Sequence, residues 1–202
     1  MSQPHHPSHL PWARGIPGPP HPGAPPSCGT VRLVAVDGPA GSGKTTYANA
    51  LAATLGCQAV HADDFPVPWH EGPATWFAAL FDQVLEPLRQ GRPGGFRRYD
   101  WVRGAYAEPV AVPVAPVLII EGVGTARKSA ADLLAYGIWL EAPDDVRLRR
   151  VLERDGPGLE ERWRVWFEAE RAWFAADGTR ARADLIVSTA PPGGGPMGDA
   201  PR

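Results

Sequence analysis

Nine residues carry the clearest chemistry in this chain: GPAGSGKTT, Gly38 to Thr46. The first eight fit the pattern G-x-x-x-x-G-K-[ST], which holds phosphate when it joins a strand to a helix. Glycines at Gly38, Gly41 and Gly43 let the backbone curl, so that the N–H groups following Pro39, those of Ala40 and Ser42 among them, can face an anion. The N-terminus of the following helix adds unsatisfied donors and partial positive charge. Lys44 would then reach the β- and γ-phosphates of a nucleotide, and the Thr45 hydroxyl would ligate Mg²⁺. Of the 20 basic residues only Lys44 and Lys128 are lysine. A compact ammonium on a flexible stem suits a crowded phosphate better than a planar guanidinium.

Three further groups lie downstream. HADDF, His61 to Phe65, offers Asp63 and Asp64 at the end of a short strand. There one carboxylate could take the proton of an attacking hydroxyl, and the other serve Mg²⁺ or a loop hydrogen bond. The alternative is a pair of turn or capping aspartates. VLIIEG, Val117 to Gly122, puts Glu121 at the end of an apolar run, where it could hold Mg²⁺ or merely occupy a turn. RLRRVLERD sets Arg147, Arg150 and Arg154 on one helical face. They could clamp a transferring phosphoryl group, or form a solvated basic face.

The elements that must position these residues alternate along the chain. Strands are expected at VRLVAV, QAVHA, APVLIIE, YGIWLEA and ADLIVS, and helices at Lys44–Leu55, Thr75–Gln90, Asp144–Arg154 and Leu159–Ala176. This order predicts an α/β fold, a parallel sheet with helices on both faces. The continuous apolar run APVLIIE suits a central strand. Trp163, Trp166, Phe167, Trp173 and Phe174 form an aromatic stripe expected to pack on the sheet. Residues 1–29, rich in proline, glycine and histidine (His5, His6, His9, His21), read as a disordered tail, and 191–202 likewise, leaving 30–190 as one domain.

Composition narrows the partners. At 202 residues and net charge −2, nothing points to nucleic acid. Cys28 and Cys57 make no disulfide framework. No apolar run approaches a membrane span and no signal peptide is expected, so a cytoplasmic protein without membrane partners follows.

The motifs GPAGSGKTT, DDF, YDW (Tyr99 to Trp101), IIEG, the RLRRVLERD helix and ADLIV, in this order, resemble the uridine kinase family of P-loop kinases over almost all of Val31 to Ser188. The resemblance implies a P-loop NTPase three-layer sandwich with a five-stranded parallel sheet and an arginine-bearing helical lid. It also implies ATP and Mg²⁺, and transfer of the γ-phosphate to the 5′-hydroxyl of a pyrimidine nucleoside. By position Asp63 matches the catalytic base, with Lys44 on the phosphates. Arg150 and Arg154 match lid arginines at the nucleotide, and Glu71 in WHEGPA a carboxylate on the ribose hydroxyls. Tyr99 falls beside the base, with Asp64 and Asp100 completing the acceptor side. Two positions depart from the family: Gly104 stands where it carries a histidine, and PVPW follows DDF where a tyrosine is usual. A nucleoside monophosphate or pantothenate-like alcohol is the alternative acceptor, with Arg97 and Arg98 as added cations. A nucleotide-sensing protein without transfer is the third reading.

Overall fold

The computed structural model describes residues 25–66, 71, 72 and 74–190. Both faces of its sheet are legible in strand β1 (Arg32–Asp37). Leu33 and Ala35 enter one apolar cluster and Val34 and Val36 the other, as the two-residue period of a strand requires. Strand β5 (Val117–Glu121) repeats this, with Leu118 and Ile120 on the first face and Ile119 on the second.

Helix α1 (Lys44–Leu55) covers the second face with Tyr47, Ala48, Leu51 and Ala52. The first is covered by α2 (Phe77–Leu80), a five-residue π-helical stretch (Phe81–Leu85) and α3 (Glu86–Arg89). The single helix expected over Thr75–Gln90 is therefore interrupted, just before Pro87, which has no N–H to give an earlier carbonyl. Strands β2 (Gln58–His61), β6 (Tyr136–Glu141) and β7 (Leu185–Ser188) complete a sheet of order β2-β5-β1-β6-β7, every pair parallel. The α/β fold, with five parallel strands between helical layers, is the one expected.

A hairpin of β3 (Gly94–Asp100) and β4 (Ala105–Val112) is the addition to that expectation. Its sequence carries glycines, arginines and Pro109 in place of an apolar alternation. Burial of Phe96 and Val112 in the main core holds it, with Phe96 stacked 4.9 Å from Phe65. Gly104 lies in its turn at φ +64°, giving its N–H to the carbonyl of Asp100.

Helices α4 (Asp144–Asp155) and α5 (Glu160–Asp177) pack on one another at the carboxyl end of the sheet. Trp163 and Phe167 meet Val151 and Ala40 there, so this part of the aromatic stripe covers α4 and the phosphate loop, not the sheet. Phe174 does reach the sheet, edge-on to Trp139. Helix α6 (Thr179–Arg182) leads into β7.

Cys28, inside the segment read as a tail, is buried, and its thiol faces the carbonyl of Leu85. Nothing periodic surrounds it in sequence to reveal that. The rest of that stretch up to residue 24, its histidines included, and residues 191–202 lie outside the described residues. Among the described residues no helix is long and apolar enough to cross a membrane.

Candidate active site

The loop Gly38–Gly43 leaves the end of β1 and hands over to α1, which starts at Lys44. Its entry is fixed by Asp37, the last residue of β1 and fully buried. One carboxylate oxygen accepts the N–H of Gly38 at 2.7 Å and of Gly124 at 2.9 Å; the other accepts that of Ala126 at 2.8 Å. Asp37 thereby ties the phosphate loop to the segment after β5. Sequence reasoning missed it, although an acid closing an otherwise apolar strand was a usable signal.

Gly41 explains why the loop is glycine-rich at that point. Its φ is +75°, and a Cβ there would lie 2.6 Å from the backbone oxygen of Arg147 in α4. Lys44 is folded back onto its own loop, donating to the Pro39 carbonyl at 3.1 Å. Ser42 is buried within the loop, and its N–H donates to the Pro39 carbonyl.

The parallel register sets His61 of β2 opposite Glu121 of β5, both at carboxyl ends. His61 Nδ1 lies 2.8 Å from Glu121 Oε2, and the Thr45 hydroxyl donates to the same oxygen at 3.1 Å. The three residues thus orient one another beside the loop. His61 also went unnoticed in the sequence, where it read only as a strand end.

A turn of 3₁₀ helix, Ala62–Asp64, follows β2 and sends its two acids apart. Asp63 faces a cleft of about 700 Å³ that is also lined by Lys44, Thr45, Thr46, Glu121, Arg150 and Arg154. Burial pushes the Asp63 carboxyl above the usual aspartate range, Glu121 adds to this, and Arg154, Lys44 and His61 oppose it. A carboxylate so placed is a better proton acceptor than a free aspartate. Asp64 turns to Arg98, 3.1 Å away on the hairpin. The hairpin also returns to the site through Trp101, whose indole N–H donates to the Asp63 carbonyl at 2.7 Å.

Phe65, Trp76, Trp101 and Val123 also line the cleft, and so do Val151, Trp163 and Trp166, which cluster together between α4 and α5. Arg154 faces the cleft while paired with Asp155 at 2.7 Å. Arg150 lines it too, but its guanidinium spans the Gly41 carbonyl at 3.1 Å, the Thr189 hydroxyl at 3.0 Å and the Thr189 carbonyl at 2.7 Å.

The expected acceptor residues are less converged. Asp100 holds the hairpin turn, accepting the N–H groups of Val102 and Arg103. Tyr99 packs edge-on against Trp101 and Tyr106 and is not among the cleft's lining. Glu71 is exposed, and its neighbours 67–70 and 73, which include most of PVPW, lie outside the described residues.

The model of the phosphoribulokinase/uridine kinase family matches residues 66–162, the span that runs from just after Asp63 through Glu121 to the arginines of α4. Over those residues the chain is similar to that family. A structure described as a possible uridine kinase from Bacillus stearothermophilus aligns with TM-score 0.56 at 23% identity, over 77% of this chain and 87% of that one. A putative fructose transport system kinase from Silicibacter sp. TM1040 aligns with TM-score 0.61 at 24% identity, over 84% and 92%. At these identities the two structures establish the fold. No curated protein matches the sequence. The family similarity and the shared fold both point towards P-loop kinases.

Proposed function

We propose that this uridine kinase-like chain transfers the γ-phosphoryl group of ATP to a hydroxyl of a small neutral molecule, with pyrimidine nucleosides the first acceptors to test. The observation that carries this is the convergence of Asp63, Lys44, Thr45 and Glu121 on one cleft. A protein that only sensed nucleotide would have no use for a carboxylate of raised pKa opposite the phosphate loop.

Lys44 would bind the phosphates, exchanging the Pro39 carbonyl for phosphate oxygen. Loop amides other than those of Ala40 and Ser42 would join it, since those two N–H groups are held by Glu170 and by the Pro39 carbonyl. The Thr45 hydroxyl and the Glu121 carboxylate, 3.1 Å apart, are hard oxygen donors of the kind Mg²⁺ takes in small number, the remaining positions going to water and phosphate. When bound there, Mg²⁺ neutralises charge on the β- and γ-phosphates. His61 keeps the Glu121 carboxylate turned towards Thr45. Asp63 orients the acceptor hydroxyl and takes its proton as the new O–P bond forms and the bond from γ-phosphorus to the bridging oxygen breaks, releasing ADP. Arg154, beside Asp63, supplies positive charge to the transferring group.

The acceptor end favours an uncharged molecule. Arg97 donates to the carbonyls of Ala107 and Tyr106, Arg98 faces Asp64 and Glu108, and neither lines the cleft, which argues against a phosphorylated acceptor. The wall of Phe65, Trp76 and Trp101 offers ring faces, and the indole N–H groups of both tryptophans are already bonded to backbone carbonyls. Gly104, in a turn at positive φ, presents no side chain to read a base. The test is ADP release with Mg-ATP against uridine, cytidine, other nucleosides, sugars, pantothenate and nucleoside monophosphates. Turnover with a neutral alcohol alone supports the reading; turnover confined to monophosphates overturns its acceptor half.

A further inference from the structure

Among the described residues Arg147 and Glu170 are the most deeply buried ionic pair outside the cleft, and the phosphotransferase mechanism leaves them without a role. Arg147 is 5% exposed and Glu170 1%. Their side chains meet at 2.9 Å, and both also engage a single residue of the phosphate loop. The N–H of Ala40 donates to Glu170 Oε1 at 2.9 Å, and Arg147 Nε donates to the Ala40 carbonyl at 2.8 Å.

The rest of each side chain is equally determined. Arg147 donates to Asp144 at 2.7 Å and lies 4.0 Å over the ring of Phe167; Glu170 Oε1 also accepts the Trp166 indole N–H at 2.9 Å. A buried ion pair is weak evidence for stability, because apolar residues of similar volume often serve as well. Satisfying both backbone groups of one loop residue is a more specific use. Burial pushes the Glu170 carboxyl up, and the charges of Lys44 and Arg147 pull it back, so the pair lies within electrostatic reach of the phosphate-binding ammonium.

We propose that Arg147 and Glu170 act as one positioning unit that holds both backbone groups of Ala40, fixing the phosphate loop in its nucleotide-binding shape and seating α4 and α5 on it. The inference rests on the phosphotransferase reading, since it assumes that the loop binds ATP. The pairing also keeps the unit electrically neutral, so that Glu170 does not repel phosphate beside Lys44. The base of the lid is therefore a fixed part of the loop.

The double variant R147M/E170M tests this, with Mg-ATP affinity of the full chain measured by calorimetry and stability by urea unfolding. Apolar replacement of a buried pair is often neutral or stabilising, so the fold is expected to persist. The Kd for Mg-ATP is expected to rise about tenfold, within the range of roughly 5 to 150 seen when one site is coupled to another. In turnover assays the KM for ATP should rise more than kcat falls. A folded double variant with wild-type Kd overturns the proposal and leaves the kinase reading standing. Should that variant not fold, E170Q decides: its amide nitrogen faces the Arg147 guanidinium, so a weaker Kd at near-wild-type stability supports the unit, and an unchanged Kd overturns it. Wild-type protein that binds no Mg-ATP overturns the kinase reading, and this inference with it.

Discussion

Substituting Gly41 by alanine should damage the protein in a way that an otherwise similar glycine does not. Two costs add at Gly41. Its φ of +75° is left-handed, which disfavours an L-residue by roughly 1–2 kcal/mol. A Cβ would also stand 2.6, 2.9 and 3.0 Å from the O, Cα and C atoms of Arg147, all backbone and so unable to swing aside. Relieving that overlap means moving α4 away from the loop, at an overpacking cost of about 1–3 kcal/mol. Gly56, the cap of α1 at φ +62°, has nothing within 4 Å of the point where a methyl would stand and carries only the first cost. Equilibrium urea unfolding of G41A and G56A, each against wild type, therefore isolates the contact. G41A should be less stable than G56A by about 1–3 kcal/mol, and it alone should weaken Mg-ATP binding, because Arg147 and Arg150 both donate to loop carbonyls. Equal losses for the two variants, with ATP affinity retained in both, would refute the close seating of α4 on the phosphate loop.

Lys44→Ala should abolish ATP binding and turnover with little loss of stability, since among the described residues its ammonium bonds only the Pro39 carbonyl; calorimetry and a melting curve check both. Glu121→Gln should raise the Mg²⁺ concentration needed for half-maximal turnover, read by titrating the metal at fixed ATP, because it exchanges a charged oxygen for an amide beside Thr45. Burial raises the Asp63 pKa, so the carboxylate is protonated, and turnover lost, at a pH above the ordinary aspartate range as the solution is acidified. Arg154→Gln removes a charge that opposes this rise and should move the acid limb of the pH–rate profile still higher. The sign for stability is opposite to that of a salt-bridged acid: ionised Asp63 disfavours the folded state, so its contribution declines as pH rises from its unfolded value through its folded one.

Much of this architecture was legible because apolar periodicity and glycine punctuation are local signals. Helix α1 begins at Lys44 and ends at Leu55, where Gly43 and Gly56 bound it, and strand β5 is the apolar run that ends at Glu121. The hairpin was not legible, because Gly94–Val112 holds its place through two buried side chains, Phe96 and Val112, and not through a pattern. At the site, motif spacing located the loop, Asp63 and Glu121. The pattern gave Asp63 and Asp64 different duties but not which of them faces the cleft, since the 3₁₀ turn and Arg98 on a distant strand decide that. Asp37, His61 and the Arg147–Glu170 pair escaped for the same reason. The partners that define them are distant in sequence: Glu121 lies 60 residues from His61, Gly124 and Ala126 lie 87 and 89 from Asp37, and Ala40 lies 107 and 130 from Arg147 and Glu170.

The central claim is phosphoryl transfer with Asp63 as the base. It is tested most directly by acceptor-dependent ADP release from wild type and D63N, with Mg-ATP affinity measured alongside. Wild type should turn over with a neutral alcohol, and D63N should lose about 10²–10⁴ in rate, the usual worth of a positioned general base, at unchanged ATP affinity. Near-normal turnover by D63N would contradict the assignment of the base. ATP binding without transfer to any alcohol would contradict the claim itself.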